Sequence, residues 1–205
     1  MSDYLHIQQH LHFVHYFEIQ LIQNEPTSTV IIVHNCGNKK KYVTNTGQDL
    51  WHANKFIFNM CRYISEPILI MEDDIVIKDK LVDKYFNYLE KIKEFDNIIF
   101  SGNDKKERIN DLISKAIHIS TTGMYLVKNH YYQTLIDNFQ EAVNKMEQNI
   151  TKNKDIDRNN NAIDVNWKKL QKKDNWIIFN ENLGYQEPGF SDIENRNVDY
   201  LWCLN

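Results

Sequence analysis

No stretch of this 205-residue chain gathers enough lysine or arginine to follow a phosphate backbone, and acidic side chains outnumber basic ones, 28 to 24, for a net charge of −4. That balance argues against nucleic-acid binding. Long apolar runs are missing as well. The longest, Val30 to Val33 and Ile68 to Met71, are strand-sized, well short of the roughly 20 residues of a membrane-spanning helix, so no membrane span is expected. Cysteine is confined to Cys36, Cys61 and Cys203, an odd, widely spaced set without metal-ligand pairing, which suits a reducing compartment. No charged-then-apolar leader opens the sequence. The expected location is therefore cytoplasmic, where the sequon Asn149-Ile150-Thr151 goes unused. Glycine and proline number only 6 and 3 while Asn, Lys and Ile abound, a bias that an A+T-rich genome would give. Neither a G-x-x-x-x-G-K-[ST] loop nor a G-x-S-x-G elbow occurs, so P-loop and serine-hydrolase chemistry drop out.

What is present reads as alternating strands and helices. The length favours a single domain over residues 1–205. Leu5, Leu11, Val14, Phe17 and Leu21 recur at near-helical spacing, predicting a helical N-terminal segment over residues 1–25. Residues 28–34 (STVIIVH) are β-branched and apolar on both faces, as in a buried parallel strand. A helix over residues 48–63 carries Leu50, Ala53, Phe56, Ile57, Met60 and Cys61 on one stripe. Strands follow at 68–71 and 75–77, a helix at 81–95, a strand at 97–102, a strand at 122–127 and a helix at 131–148. Residues 152–161 form a charged polar loop, 163–170 a helix, 176–179 a strand, and 182–205 an irregular C-terminal segment with a turn at Pro188-Gly189. Repeated β-α units predict an α/β fold with a mixed, mainly parallel sheet flanked by helices.

The strand at 68–71 runs directly into Glu72-Asp73-Asp74. Three consecutive carboxylates closing a buried strand are unfavourable unless they meet a cation or reach solvent at the sheet edge. In an open α/β sheet, ligands bind outside the carboxyl ends of the strands. Hard carboxylate oxygens suit Mn²⁺ or Mg²⁺, and such an ion can bridge to a diphosphate and neutralise it as a leaving group. The plainer alternative is an acidic turn before the helix that follows Lys80.

Strand, Glu72-Asp73-Asp74 and strand, preceded by the helix DLWHANKFIFNMCRYI, resemble the D-x-D region of GT-A glycosyltransferases. The likeness is to family-25-like enzymes, which modify lipooligosaccharide and collagen, and to related small transferases of large DNA viruses. Two further blocks agree in order: STTGMYLV (residues 120–127), and the stretch from Ile163-Asp164-Val165 to Tyr185-Gln186. The ending QEPGFSDIENR resembles the Q-x-x-x-x-S-D-I close of that family. Together the blocks cover residues 47–196. The resemblance implies a GT-A (Rossmann-like) fold and transfer of a sugar from a nucleoside-diphosphate sugar donor to a hydroxyl of a glycan or protein acceptor. It also implies Asp74 and Glu72 as metal ligands for Mn²⁺ (or Mg²⁺), with Asp73 towards the sugar nucleotide. The family's opening strand with its Arg-rich follow-on is not recognisable in residues 1–25. A late histidine serves several GT-A enzymes as a further metal ligand, and the last one here is His130.

Other residues carry two readings each. Asp164 opens a helix and either caps it or faces the acceptor as the catalytic base that takes its hydroxyl proton. Gly123 either lets a ligand approach the backbone or packs against a neighbour. Thr121 and Thr122 bond the donor or acceptor sugar, or are ordinary strand residues. Gln186, Ser191 and Asp192 read as a lid or acceptor wall, Gln186 as a donor-binding residue. Trp167, Trp176, Tyr185 and Trp202 fit the core better than a sugar platform. Lys39, Lys40 and Lys41 fit a solvated turn, and His6, His10, His12 and His15 a surface cluster. The competing functions are a nucleotidyltransferase, which would show a glycine-rich phosphate loop, and a non-catalytic protein- or glycan-binding module. The sequence leaves the oligomeric state open.

Overall fold

The computed structural model describes residues 16–23, 29–36, 67–72, 75–102, 105–151, 162–191 and 196–200. Along the chain these give Tyr16–Gln23 (β1), Thr29–Cys36 (β2), Ile68–Glu72 (β3), Ile75–Ile77 (β4), Asp79–Leu89 (α1), Asn97–Ile99 (β5), Lys105–Arg108 (β6), Ile113–His118 (β7) and Met124–Val127 (β8). A 3-10 turn, Asn129–Tyr131, leads into Tyr132–Thr151 (α2). Ile163–Asn166 (α3), Lys168–Lys173 (α4), Trp176–Phe179 (β9), Gly184–Gln186 (β10), Gly189–Ser191 (β11) and Arg196–Val198 (β12) complete it.

The fold is mixed α/β. Eight strands form one sheet in the order β1-β2-β3-β8-β5-β9-β7-β6. The β-branched run of β2 lies parallel to β3, Thr29 opposite Ile68 and Val33 opposite Glu72. That pairing matches the doubly apolar pattern of both segments. β8 is wedged antiparallel between β3 and β5, and β9 returns parallel to β5. Antiparallel pairing therefore outweighs parallel pairing, in contrast to the mainly parallel sheet expected from repeated β-α units. The reason lies in β8, which reaches the sheet centre from the opposite direction, and in the β6–β7 hairpin, which turns back on itself before β9.

Both faces of the sheet are covered along β3, β8, β5 and β9. Along β3, Ile68 and Ile70 face one side and Leu69 and Met71 the other, as strand alternation requires. The first face packs under α2, α3 and α4 with Tyr125, Phe139, Trp167 and Trp176. Trp167 stands edge-on to both Tyr125 and Trp176, with ring centres 5.5 and 5.0 Å apart. Several buried polar groups here are paired: Gln171 accepts from Ile119 N at 2.7 Å and donates to Ile119 O at 2.8 Å, and Trp167 Nε1 donates to the same carbonyl at 2.9 Å, whereas Asn138 Oδ1 and the side-chain amide of Asn97 are buried without a partner among the described residues. These bonds fasten α3 and α4 to the end of β7 and remove the penalty of burying their polar atoms. The second face packs under α1, where Tyr85 stacks on Phe179 at 4.0 Å and Phe179 on Phe100 at 5.4 Å. Each fully buried aliphatic or Phe side chain in these layers contributes about 1.5–3 kcal/mol.

Several expectations are corrected. Residues 16–23 form a strand rather than the end of a helix, pairing antiparallel with β2 from Tyr16–Cys36 to Gln23–Thr29. Their sequence, YFEIQLIQ, alternates Phe17, Ile19 and Leu21 with Glu18 and Gln20; Phe17 and Leu21 satisfy both periods, and sheet pairing decides between them. The helix expected at 81–95 ends at Leu89. Residues 105–118 form an unanticipated hairpin, and the C-terminal segment contains three short strands rather than irregular chain. The predicted helix at 48–63, the polar loop at 152–161, residues 1–15, Lys39, Lys40, Lys41 and Trp202 lie outside the described residues. No helix among the described residues is long and apolar enough to cross a membrane.

Candidate functional site

β2, β3, β5 and β9 all point the same way, so their carboxyl ends define one edge of the sheet. Glu72 is the last residue of β3 and stands at this edge, partly buried. By alternation it follows Ile68 and Ile70 onto the face covered by α2 to α4. The next two carboxylates, Asp73 and Asp74, lie outside the described residues.

The chain returns to Glu72 from fifty residues away. Thr122 Oγ1 donates to Glu72 Oε1 at 2.6 Å, and Glu72 N donates to the carbonyl of Gly123 at 2.9 Å. Both contacts exist because β8 runs antiparallel beside β3, with Met124 opposite Met71, so its entry loop meets the exit of β3. A hydroxyl-to-carboxylate bond at this distance is charge-assisted and fixes the carboxylate's orientation. Tyr125 is fully buried next in line. Burial, and then the negative charge of Glu72, push its phenol well above the ordinary tyrosine value.

The late blocks of the sequence also arrive here. β10 pairs antiparallel with β4, the strand that leaves the acidic run, and sets Gln186 opposite Ile75 and Gly184 opposite Ile77. The approach is close enough to require glycine. A Cβ on Gly184 would stand 2.9 Å from Ile75 Cγ2 and 3.0 Å from the Val76 carbonyl oxygen, and one on Gly123 would stand 2.8 Å from Ile75 Cδ1. Gly123 thus has a packing role, against Ile75.

The neighbouring strand end is closed by groups that the sequence reading passed over. Gly102 N donates to Asn182 Oδ1 at 2.9 Å, Ser101 Oγ donates to the Gly184 carbonyl at 2.7 Å, and Leu183 N donates to the Phe100 carbonyl. A Cβ on Gly102 would meet Ile119 Cγ2 at 2.5 Å. Serine-glycine directly after the apolar run 97–100 was the available signal.

No protein-family model matches the chain, and no curated protein matches it. The site's geometry and the sequence pattern therefore carry the functional argument by themselves.

Asp164 occupies the first turn of α3, in the helical layer over the face that Glu72 shares. Burial pushes its carboxyl above the ordinary value of 3.8, opposed by the Lys168 ammonium and by the backbone amides of Asp164 and Val165. Both early readings survive in this environment: the amides are those a capping carboxylate meets, and burial favours the form that holds a proton. Ser191 closes β11, and Asp192 lies outside the described residues. Trp167 and Trp176 are fully buried core residues, and Tyr185 is partly buried on β10. Among the described residues no group of three or more His, Cys, Asp and Glu side chains is poised around a metal position, and that set does not include Asp73 and Asp74.

Proposed function

We propose that this chain is a metal-dependent glycosyltransferase of the GT-A kind, which takes a sugar from a nucleoside-diphosphate sugar and passes it to a hydroxyl of a glycan or protein. The observation that carries the reading is the bond from Thr122 to Glu72. It joins the S-T-T-G block to the acidic run at the carboxyl edge of the parallel strands, where open α/β sheets take their ligands. The convergence of β10 on β4 supports it further, because Gln186 and the acidic run belong to blocks far apart in sequence. A hydroxyl-anchored carboxylate followed by two more carboxylates is a donor set of the type that Mn²⁺ or Mg²⁺ accepts.

In this reading Glu72 and Asp74 hold the ion and Asp73 meets the sugar nucleotide. The ion, when bound, supplies charge neutralisation of the departing diphosphate. Thr122 keeps the Glu72 carboxylate in place, and Gly123 and Gly184 let the strands around Ile75 close up beneath the site. Asp164, whose proton affinity is raised by burial, takes the acceptor's proton.

The deciding experiment is a thermal-shift screen of nucleoside-diphosphate sugars with and without Mn²⁺, on the parent protein and on Asp74→Ala. A ligand that binds only the native state raises its apparent stability. The expected result is a shift with at least one donor that needs the metal and disappears in Asp74→Ala. A protein that ignores every donor under both conditions would sink the proposal and favour the binding module.

A further inference from the structure

A second feature of the same sheet edge lies at its far side. An open cleft of about 390 Å³ is lined by Lys106, Arg108, Asp111, Ser114 and Asn180. Lys106 and Arg108 sit two apart on β6, opposite Ala116 and Ser114 of β7, so both side chains leave the sheet on the same face. Ala116 belongs to the core on the α2–α4 side, which is also the face of Glu72. Five strand steps separate β6 from β3, a span of roughly 24 Å.

The floor of this cleft is fixed, and its cations are bonded to it with only part of their donors. Ser114 Oγ, almost fully buried, donates to Asn180 Oδ1 at 2.5 Å, and Asn180 Nδ2 donates to the Asn110 carbonyl at 2.8 Å. Lys106 Nζ reaches the Asn180 carbonyl at 3.3 Å and meets no carboxylate among the described residues. One of its three N–H donors is thereby used and two remain. Arg108 spends Nε on the Asn110 carbonyl and one Nη2 hydrogen on Asp111. Its pair with Asp111 is an exposed contact three residues apart, of a class that contributes little and yields to competing anions.

An edge-strand lysine whose task is to deter aggregation keeps its ammonium in water. Lys106 does not: it is partly buried over the sheet end, and that burial lowers its pKa below the ordinary 10.5. With no carboxylate beside it among the described residues, a cation held this way favours the arrival of an anion. We propose that this cleft binds an oxyanion, a phosphate or carboxylate group borne by a ligand, gripped by Lys106 and Arg108. The site needs no metal and does not depend on the transferase reading.

Calorimetric titration with inorganic phosphate and with glucuronate, in metal-free buffer at low and moderate salt, tests this and separates the two sources of charge. At least one probe should bind, more weakly as salt rises, with unchanged affinity in Asp74→Ala and an affinity lowered about tenfold or more in Lys106→Gln. Equal binding by a folded Lys106→Gln protein, or no binding of either probe, overturns the site. Should Lys106→Gln not fold, amine-reactive labelling of the parent protein serves instead: the bound probe must slow modification of Lys106, and an unaltered rate overturns the proposal.

Discussion

The two edges of the central sheet are built from the same strands and finished in opposite ways. At the amino ends of β5 and β9, polar groups are spent on one another. Asp96 accepts from Asn175 N at 2.8 Å and stands 2.8 Å from His130 Nε2, Asn175 Nδ2 donates to the Glu94 carbonyl, and Lys128 N donates to the Asp96 carbonyl. Tyr131 donates to Asp174 at 2.6 Å while accepting from Trp176 Nε1 at 3.0 Å. At the carboxyl edge, side chains hold backbone, glycines allow strands to crowd, and a partly buried carboxylate is held by a threonine. The amino end is closed largely by mutual satisfaction, with the Asn97 side-chain amide at the start of β5 buried without a partner among the described residues, and the other end is stiffened around charge. If the proposed ligand chemistry sits at the carboxyl edge, stability and ligand binding lie at opposite ends of one sheet and should respond to different substitutions.

The largest expected effect lies at the closed end. Trp176→Ala should lower stability by about 3–5 kcal/mol, since it empties a fully buried site and removes the bond its indole donates to Tyr131; denaturant unfolding measures it. If the fraction still folded keeps its metal-dependent donor shift, the separation of the two ends stands. At the open end, Gly184→Ala forces a Cβ against the Val76 carbonyl and should remove about 1–3 kcal/mol. Here the donor shift should weaken as well, because β4 and β10 carry the flanks of the acidic run. Thr122→Val has the reverse balance. It removes one hydrogen bond, about 0.5–1.5 kcal/mol, while metal affinity measured by titration should fall about 10–100-fold through the freed Glu72 carboxylate. A Thr122→Val protein with parental metal affinity would erase the contrast.

The smallest effect is a pH dependence. The carboxyl of Asp164 is raised above 3.8 in the folded protein, so the folded form holds that proton more tightly than the unfolded chain does. This stabilisation is fully present below pH 3.8 and is lost as pH rises through the folded value. Asp164→Asn should therefore match the parent's Tm in acid and exceed it at neutral pH. Turnover by the variant should drop if Asp164 is the base, and a variant with full turnover would leave the residue a helix cap alone.

Much of this contrast is invisible in the sequence, and the reasons are specific. β3, β8 and β9 announce themselves because strands covered on both faces are apolar throughout, and β2 through its β-branched run. The 20-residue α2 does so through its helical period. β6 reads Lys-Lys-Glu-Arg, an edge strand without an apolar face, and β10, β11 and β12 have three residues each, too few for any period to show. At the site, the acidic run and the S-T-T-G block were both legible, but their contact was not. It depends on the direction in which β8 enters the sheet, which composition does not encode. The fastening by Ser101 and Asn182 was missed for the same cause: each makes sense only beside a strand end that is remote in the chain.

The wedge of β8 also bears on how the molecule is made. β3 and β5 are separated in sequence by β4 and α1, yet neither pairs with the other, and they are joined in the sheet only through residues 124–127 between them. Non-local closure of this sort is slow compared with helix formation. On a ribosome, the pairing of β8 with β3 and β5 cannot begin until Val127 has left the exit tunnel, and β10, the partner of β4, follows later still.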